Sequence, residues 1–309
     1  MVKVIVVGAS GFVGSHVCEA LEARGATVLR IAAPRLPSMG AEVAESYLES
    51  LHDDAVLTEE WRGAVALVNA AGNPDASSRR ETELCSANGV LPGLLGRRAA
   101  EAAISRYVHV SSAVVQGRTT MLDETVMYDA FSPYSRSKVL GEQLAEKYGP
   151  SQTVSYRPPS VHDASRRVTR LIARVAVSRF STVSAPGTQH SPQALIQNVA
   201  AAIAELALCS QTPPPIVMHP WEGVTCESLL VMLGGKPPVR IPRQLAVQTC
   251  AILRFVGRYV PNVAANARRV EMIWLGQDQA QSWLSTAGFK LPVGTAGWEV
   301  LREQLADHV

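Results

Sequence analysis

The sequence predicts an α/β protein: a doubly wound parallel sheet, then a smaller and mostly helical C-terminal unit. Three observations lead there. Short runs apolar on both faces recur through the first 160 residues, beginning with Val4-Ile5-Val6-Val7, as strands covered on both sides require. Segments with helical spacing separate those runs, the alternation that builds a parallel sheet. A glycine-rich turn from Gly8 to Gly14 joins the first run to the first helix.

The elements follow in order along the chain. Residues 4–7 read as a central strand. Residues 12–24 read as a helix closed by Gly25, and 27–31 as the next strand. Residues 64–69 form a strand, 93–103 a helix and 107–110 a strand. A helix at 134–148 is stopped by Gly149-Pro150, because proline cannot continue it, and 153–156 is another strand. After Arg157-Pro158-Pro159 the regularity weakens. Residues 166–177 and 193–208 look helical, and Pro213-Pro214-Pro215 precedes a short strand near 215–219 that returns to the sheet. From Pro237 onward the tail is mostly helical, punctuated by Pro, Gly and Trp. The division is therefore 1–160 for the sheet domain and 161–309 for a substrate domain beyond the carboxyl ends of the strands, where ligands bind in such sheets.

Composition excludes several classes. Of the 309 residues 47% are hydrophobic and 18% charged, which supports a buried core and argues against disorder. Lys plus Arg number 29 against 27 Asp plus Glu, so the concentrated basic excess of a nucleic-acid binder is missing. The five cysteines, Cys18, Cys85, Cys209, Cys226 and Cys250, show no CxxC spacing; neither a metal site nor a disulfide framework is expected, and a reducing compartment fits. No apolar run reaches the ~18 residues of a membrane span. The N-terminal run is too short for a secretory signal. The expectation is a cytoplasmic protein with no membrane partner.

Gly8-Ala9-Ser10-Gly11-Phe12-Val13-Gly14 has GxxGxxG spacing after a strand and at the start of a helix. There glycines permit a tight turn and let backbone N–H groups approach a pyrophosphate at the positive helix end. A carboxylate after the second strand would read a ribose 2′-hydroxyl and favour NAD. Here the strand runs out as Ile31-Ala32-Ala33-Pro34-Arg35, with no acid. Arg35 is either a partner for a 2′-phosphate, which favours NADP, or an ordinary loop arginine. Tyr134-Ser135-Arg136-Ser137-Lys138 places a phenol and an ammonium on one helix face. A nearby Lys⁺ lowers a phenol's pKa, so Tyr134 is expected to serve as acid or base near neutrality. Val110-Ser111-Ser112 ends a strand at the same edge of the sheet, where a hydroxyl can polarise a carbonyl.

These residues, together with Asn69-Ala70-Ala71-Gly72, Asn88, Ser111-Ser112-Ala113-Val114-Val115-Gln116-Gly117 and Arg157-Pro158, resemble one known family. It is the short-chain dehydrogenase/reductases, in their extended, nucleotide-sugar-modifying branch (the NAD-dependent epimerase/dehydratase type). The likeness covers the first 160 residues well and the rest loosely. It implies a Rossmann fold and a catalytic triad of Ser112, Tyr134 and Lys138. Tyr134 would move the proton, Ser112 would orient the carbonyl, and Lys138 would also hold the nicotinamide ribose. Gly8, Ser10, Gly11, Phe12, Val13, Gly14, Arg35, Ala70, Ala71, Gly72, Asn88 and Pro158 would line the dinucleotide site, with Asn88 mainly bracing the active-site helix. A homodimer through the helices after Asn88 and Tyr134 is implied too.

Departures from the family pattern narrow the reaction. Dehydratases place an acid pair after the catalytic hydroxyl residue, and fucose-synthase types a cysteine; here Ala113 and Val114 stand there. Gln116 replaces the tyrosine usual in 4-epimerases, and Ser160 replaces an asparagine that contacts the diphosphate. The leading expectation is an NADPH-dependent ketoreductase acting on a nucleotide-activated 4-keto-6-deoxy sugar. An NAD-dependent 4-epimerase, a reductase of a non-sugar ketone or aldehyde, and a non-catalytic NADP(H) sensor stay open. His16, His109, His162, His190 and His219 are scattered and expected to be packed or solvated, His162 alone standing where it can touch substrate. Arg166-Arg167 and Arg268-Arg269 are expected to be solvated faces, the alternative being a substrate diphosphate.

Overall fold

Six parallel strands make the frame: β1 (Lys3–Val7), β2 (Thr27–Ile31), β3 (Ala66–Asn69), β4 (Arg106–Val110), β5 (Gln152–Arg157) and β6 (Ile216–Met218). Across the sheet they run β6-β5-β4-β3-β1-β2. This computed structural model describes residues 2–51, 59–257, 259 and 261–306. Residue 1 and residues 307–309, the outer ends of the two expected domains, lie outside the described residues.

β1 shows why the strands look apolar throughout. Val4 and Val6 enter one core with Val17, Leu21 and Ile203, whereas Ile5 and Val7 enter the opposite core with Trp61, Leu95 and Tyr107. Both faces are covered by helices, so no face can be polar. In register, Val7 lies opposite Ile31 on one side and Asn69 on the other. The chain goes from β1 to β2, then crosses back to β3 on the far side of β1. Strand order therefore reverses at β1 and β3, and their carboxyl ends open a crevice.

Two elements differ most from the sequence reading. Residues 193–195 are not helical: Gln193–Leu195 is a strand paired in parallel with Ser160–His162, and the helix is Ile196–Leu208. The Gln193 side chain is spent on His162 and Ser191, contacts between segments that helical spacing cannot reveal. The helix expected at 93–103 starts earlier. It begins as Glu81–Leu84, passes through a π turn at Cys85–Val90 and continues as Leu91–Glu101.

Beyond residue 160 a second core gathers Ile172, Val183, Leu229, Leu230, Trp298 and Leu301. It draws on helices Arg167–Val177, Cys226–Gly234 and Ala296–Ala306 and on strand Thr182–Ser184, which pairs with Val239–Ile241. The chain returns to the first core with helix Ile196–Leu208 as well as with β6.

Candidate active site

The glycine turn sits in the crevice. Gly8 follows β1 at φ +81° and donates its N–H to Ile31 O at 2.9 Å. A Cβ there would lie 2.8 Å from the backbone N and Cα of Ala71, so the loops after β1 and β3 touch. At Gly14 a Cβ would collide with the carbonyl of Gly8, so the helix can begin hard against the turn only with glycine. Gly11 leads helix Phe12–Glu22, which has no side-chain cap and no acid in its first turn. Its leading amides therefore suit an anion, and the cradle fits a dinucleotide pyrophosphate.

Ser112 ends the chain's run out of β4 and caps the short turn Ala113–Gln116, its Oγ accepting from Val114 N–H at 3.3 Å. Tyr134 lies in the first turn of helix Pro133–Tyr148. That helix starts with Pro133 and a reciprocal Ser132–Ser135 capping box. One turn on, the buried Lys138 donates from Nζ to Val110 O at 3.1 Å. A Cβ on Gly72 would come 3.6 Å from that Nζ, so Gly72 borders the same space. The fold thus gathers three separate motifs at the carboxyl edge: the glycine turn, Ala70-Ala71-Gly72, and Ser112 with Tyr134 and Lys138.

One electrostatic expectation fails. Burial pushes the Tyr134 phenol up to about 12, opposed by the Arg166 guanidinium and by a hydrogen bond with Ser112, and Lys138 is not among the groups that lower it. Desolvation brings Lys138 itself down to about 8, against the pull of Glu142. Arg166 stands 4.8 Å above the Phe12 ring of the glycine turn and is half-buried beside Tyr134, rather than forming a solvated face with the exposed Arg167.

Below these groups lies a wall of committed polar side chains. Asn88 is fully buried; its Oδ1 accepts from Asn73 N–H at 2.8 Å, and its Nδ2 donates to Asn73 O at 3.1 Å and Ser137 Oγ at 3.2 Å. It ties the loop after β3 to helix Pro133–Tyr148. Arg157 holds Glu142 through two bonds of 3.0 and 2.7 Å and donates to Thr125 O at 2.8 Å. Ser111 Oγ donates to Glu142 at 2.5 Å. The buried Pro158 offers its carbonyl to Ala113 N–H at 2.9 Å, fixing the turn after Ser112. Sequence reasoning missed Glu142; its place one turn after Lys138 was the available signal.

The remaining candidates divide. Arg35 is exposed on the rim of a cavity of about 370 Å³ that Ser38, Gly72, Asn73 and Ser86 also line. Ser10 is exposed in the turn, and Phe12, Val13, Ala70 and Ala71 are half-buried. His162 is corrected: it is fully buried, with Nδ1 on Thr169 at 3.1 Å and Nε2 on Gln193 at 2.6 Å, so neither nitrogen is left for substrate. His109 and His219 are buried as well. Arg268 is not a solvated face either; it donates to Gly117 O at 2.7 Å and Gln277 at 2.8 Å. Among the described residues no group of three metal-binding side chains occurs.

With this geometry the comparisons agree. A model of the NAD dependent epimerase/dehydratase family matches residues 4–212. A curated relative, the 4-hydroxy-2-methyl-3-oxo-4-farnesyl-3,4-dihydroquinoline-1-oxide ketoreductase of Stigmatella aurantiaca, is 28% identical, covering 93% of this chain and 92% of its own. Among solved structures, MoeE5 in complex with UDP-glucose and NAD matches with a TM-score of 0.65 at 19% identity over 99% of both chains. The dTDP-4-dehydrorhamnose reductase of Bacillus anthracis in complex with NADP matches at 0.63 and 14%, over 97% of this chain and 98% of its own. At such identities the structures speak for the fold.

Proposed function

We propose that this chain, which belongs to the NAD dependent epimerase/dehydratase family, works as an NAD(P)H-dependent ketoreductase. The observation that carries this reading is the convergence of Ser112, Tyr134 and Lys138 at the carboxyl edge of the sheet, beside Gly72 and the glycine turn. Burial favours the protonated phenol of Tyr134, and the natural acceptor for its proton is the alkoxide that forms as a ketone is reduced. The dinucleotide, when bound along the glycine turn, supplies the hydride. Ser112 Oγ would hold the carbonyl oxygen, and Tyr134 would hand it a proton. Lys138, at the edge of the crevice beside Gly72, would take the ribose hydroxyls. Ala113 and Val114 offer no group to abstract a proton from a sugar carbon, which supports reduction over dehydration.

For the substrate, a nucleotide-activated 4-keto-6-deoxy sugar is supported by the ligand of the MoeE5 structure and by the sugar-nucleotide reductase among the neighbours. A ring ketone carrying an apolar chain is a second reading. It is supported by the name of the curated relative and by Arg268, whose guanidinium is held by Gly117 O, Gln277 and Glu271 inside the chain. Stopped assays with both ketone classes should show one reduced cofactor consumed per carbonyl. Epimer formation on tightly held NAD, with no net consumption, would assign the chain to 4-epimerases instead.

NADP is the cofactor we favour, on the exposed Arg35 and the lack of an acid after β2. Arg35→Ala should then lower NADPH affinity by roughly 10- to 150-fold, the worth of one charge-assisted contact, and leave NADH unchanged. Equal binding of both cofactors by the unaltered protein would reject this preference. We also propose that the substrate domain comprises residues 161–309 except the segments that return to the sheet.

A further inference from the structure

An apolar surface of the C-terminal unit has no cover among the described residues. Helix Arg243–Gly257 buries only Ala246 and Cys250, while Leu245, Val247, Ile252 and Phe255 stand exposed and Tyr259 follows at 75% exposure. The strand leading into this helix, Val239–Ile241, pairs with Thr182–Ser184, and Val239 N–H donates to Ser181 O at 2.8 Å. Two residues before Thr182, which lies opposite the exposed Val239, comes Phe180, which is 70% exposed. Phe180 follows helix Arg167–Val177, whose Leu171 and Val175 are exposed too. Patches of this kind mark interaction sites.

Charge identifies the partner. Residues 236–270 contain no Asp or Glu, and neither do residues 164–204. Arg240 and Arg254 pair with Glu227 and Glu271 from neighbouring elements. Arg174, Arg179 and Arg243 have no ion pair among the described residues, and Arg179 rests 5.1 Å above the Phe180 ring. Apolar side chains interleaved with unopposed arginines match hydrocarbon beneath anionic headgroups. A second copy of the chain on this face would set arginine against arginine. No described helix is long and apolar enough to cross a membrane.

The face also connects with the site. Arg254 contacts Glu271, Glu271 contacts Arg118, and Arg118 lies 4.9 Å above Phe131, three residues before Tyr134. Arg166, at the head of helix Arg167–Val177, stands beside Tyr134. Helix Arg167–Val177 thus begins beside the candidate site, and helix Arg243–Gly257 is tied through Glu271 and Arg118 to the segment that precedes Tyr134.

We propose that this face docks the protein onto an anionic lipid bilayer, with helix Arg243–Gly257 lying in the plane of the interface. Such docking replaces the expectation of no membrane partner and does not depend on which ketone is reduced. The test is co-sedimentation of the full chain with phosphatidylcholine vesicles, with and without phosphatidylglycerol. The unaltered protein should pellet with the anionic vesicles and leave them as salt is raised. Ile252→Ser with Phe255→Ser should lower partitioning about tenfold or more. Arg174→Gln with Arg179→Gln should lower it roughly fivefold per arginine. All variants should keep the unfolding midpoint of the unaltered protein, since the replaced side chains are exposed. Protein that stays in the supernatant with anionic vesicles overturns the proposal, as does pelleting of either variant to the same extent as the unaltered protein. Self-association in solution that the Ile252/Phe255 variant dissolves also overturns it, because the face would then belong to a second copy.

Discussion

Glu142→Gln tests the wall beneath the candidate site. The Arg157 and Glu142 side chains are 0% and 2% exposed, joined by two bonds, and the Tyr128 ring lies 5.5 Å from the guanidinium. The substitution keeps shape and removes charge. It leaves the Arg157 cation buried with Thr125 O and an amide oxygen as partners, and breaking such a pair from one side costs about 3–5 kcal/mol. A chain of this length unfolds with an entropy of about 0.65 kcal/mol per kelvin, so the midpoint should fall by roughly 5–8 °C. Glu142 is also the one group that raises Lys138, so the lysine should drop further below about 8 and the activity should lose its alkaline side at lower pH. Differential scanning calorimetry gives the first effect and a pH–rate profile the second. The pairing itself is isolated by adding Arg157→Met. With both charges gone no ion is stranded, so the double variant should recover much of the loss. Strictly additive losses, or a single variant melting with the parent, would refute the reasoning.

Other expectations follow from the same geometry. Tyr134→Phe should lower kcat and kcat/KM together by about 10²- to 10⁴-fold with cofactor affinity retained, read by single-turnover reduction; near-parental turnover would move the chemistry elsewhere. Lys138 binds its proton less tightly folded, at about 8, than at its ordinary 10.5, so the unfolded chain holds more protons between those values. Its penalty is full below pH 8 and fades as pH rises toward 10.5. Lys138→Met should therefore raise the midpoint of the cofactor-free protein at pH 7 and flatten its rise between pH 8 and 10, and an unchanged slope rejects this assignment. Gly14→Ala drives a methyl into the Gly8 carbonyl and should weaken dinucleotide binding about tenfold or more, measured by fluorescence titration; unaltered affinity would mean that the turn holds no cofactor.

The sequence by itself determined the sheet, because strands buried on both faces must be apolar throughout and their helices must carry a 3.6-residue period. Val4 to Val7 and the turn from Gly8 to Gly14 were legible for that local reason. So was the placement of Tyr134 and Lys138 on one helix face, since one helical turn separates them. Tertiary structure decided what depends on distance through space. It set Arg166, thirty-two residues beyond Tyr134 and indistinguishable in sequence from the solvated Arg167, half-buried over the Phe12 ring, where its charge favours the phenolate form of Tyr134. It closed both nitrogens of His162, which the chain alone left open to substrate, and it made Gln193–Leu195 a strand by giving it Ser160–His162 as a partner. It turned Glu142 from a plain helix residue into the counterion of a buried arginine. Periodicity and turn chemistry are local and can be read along the chain, whereas pKa values, ion pairs and exposed faces are set by which distant elements meet.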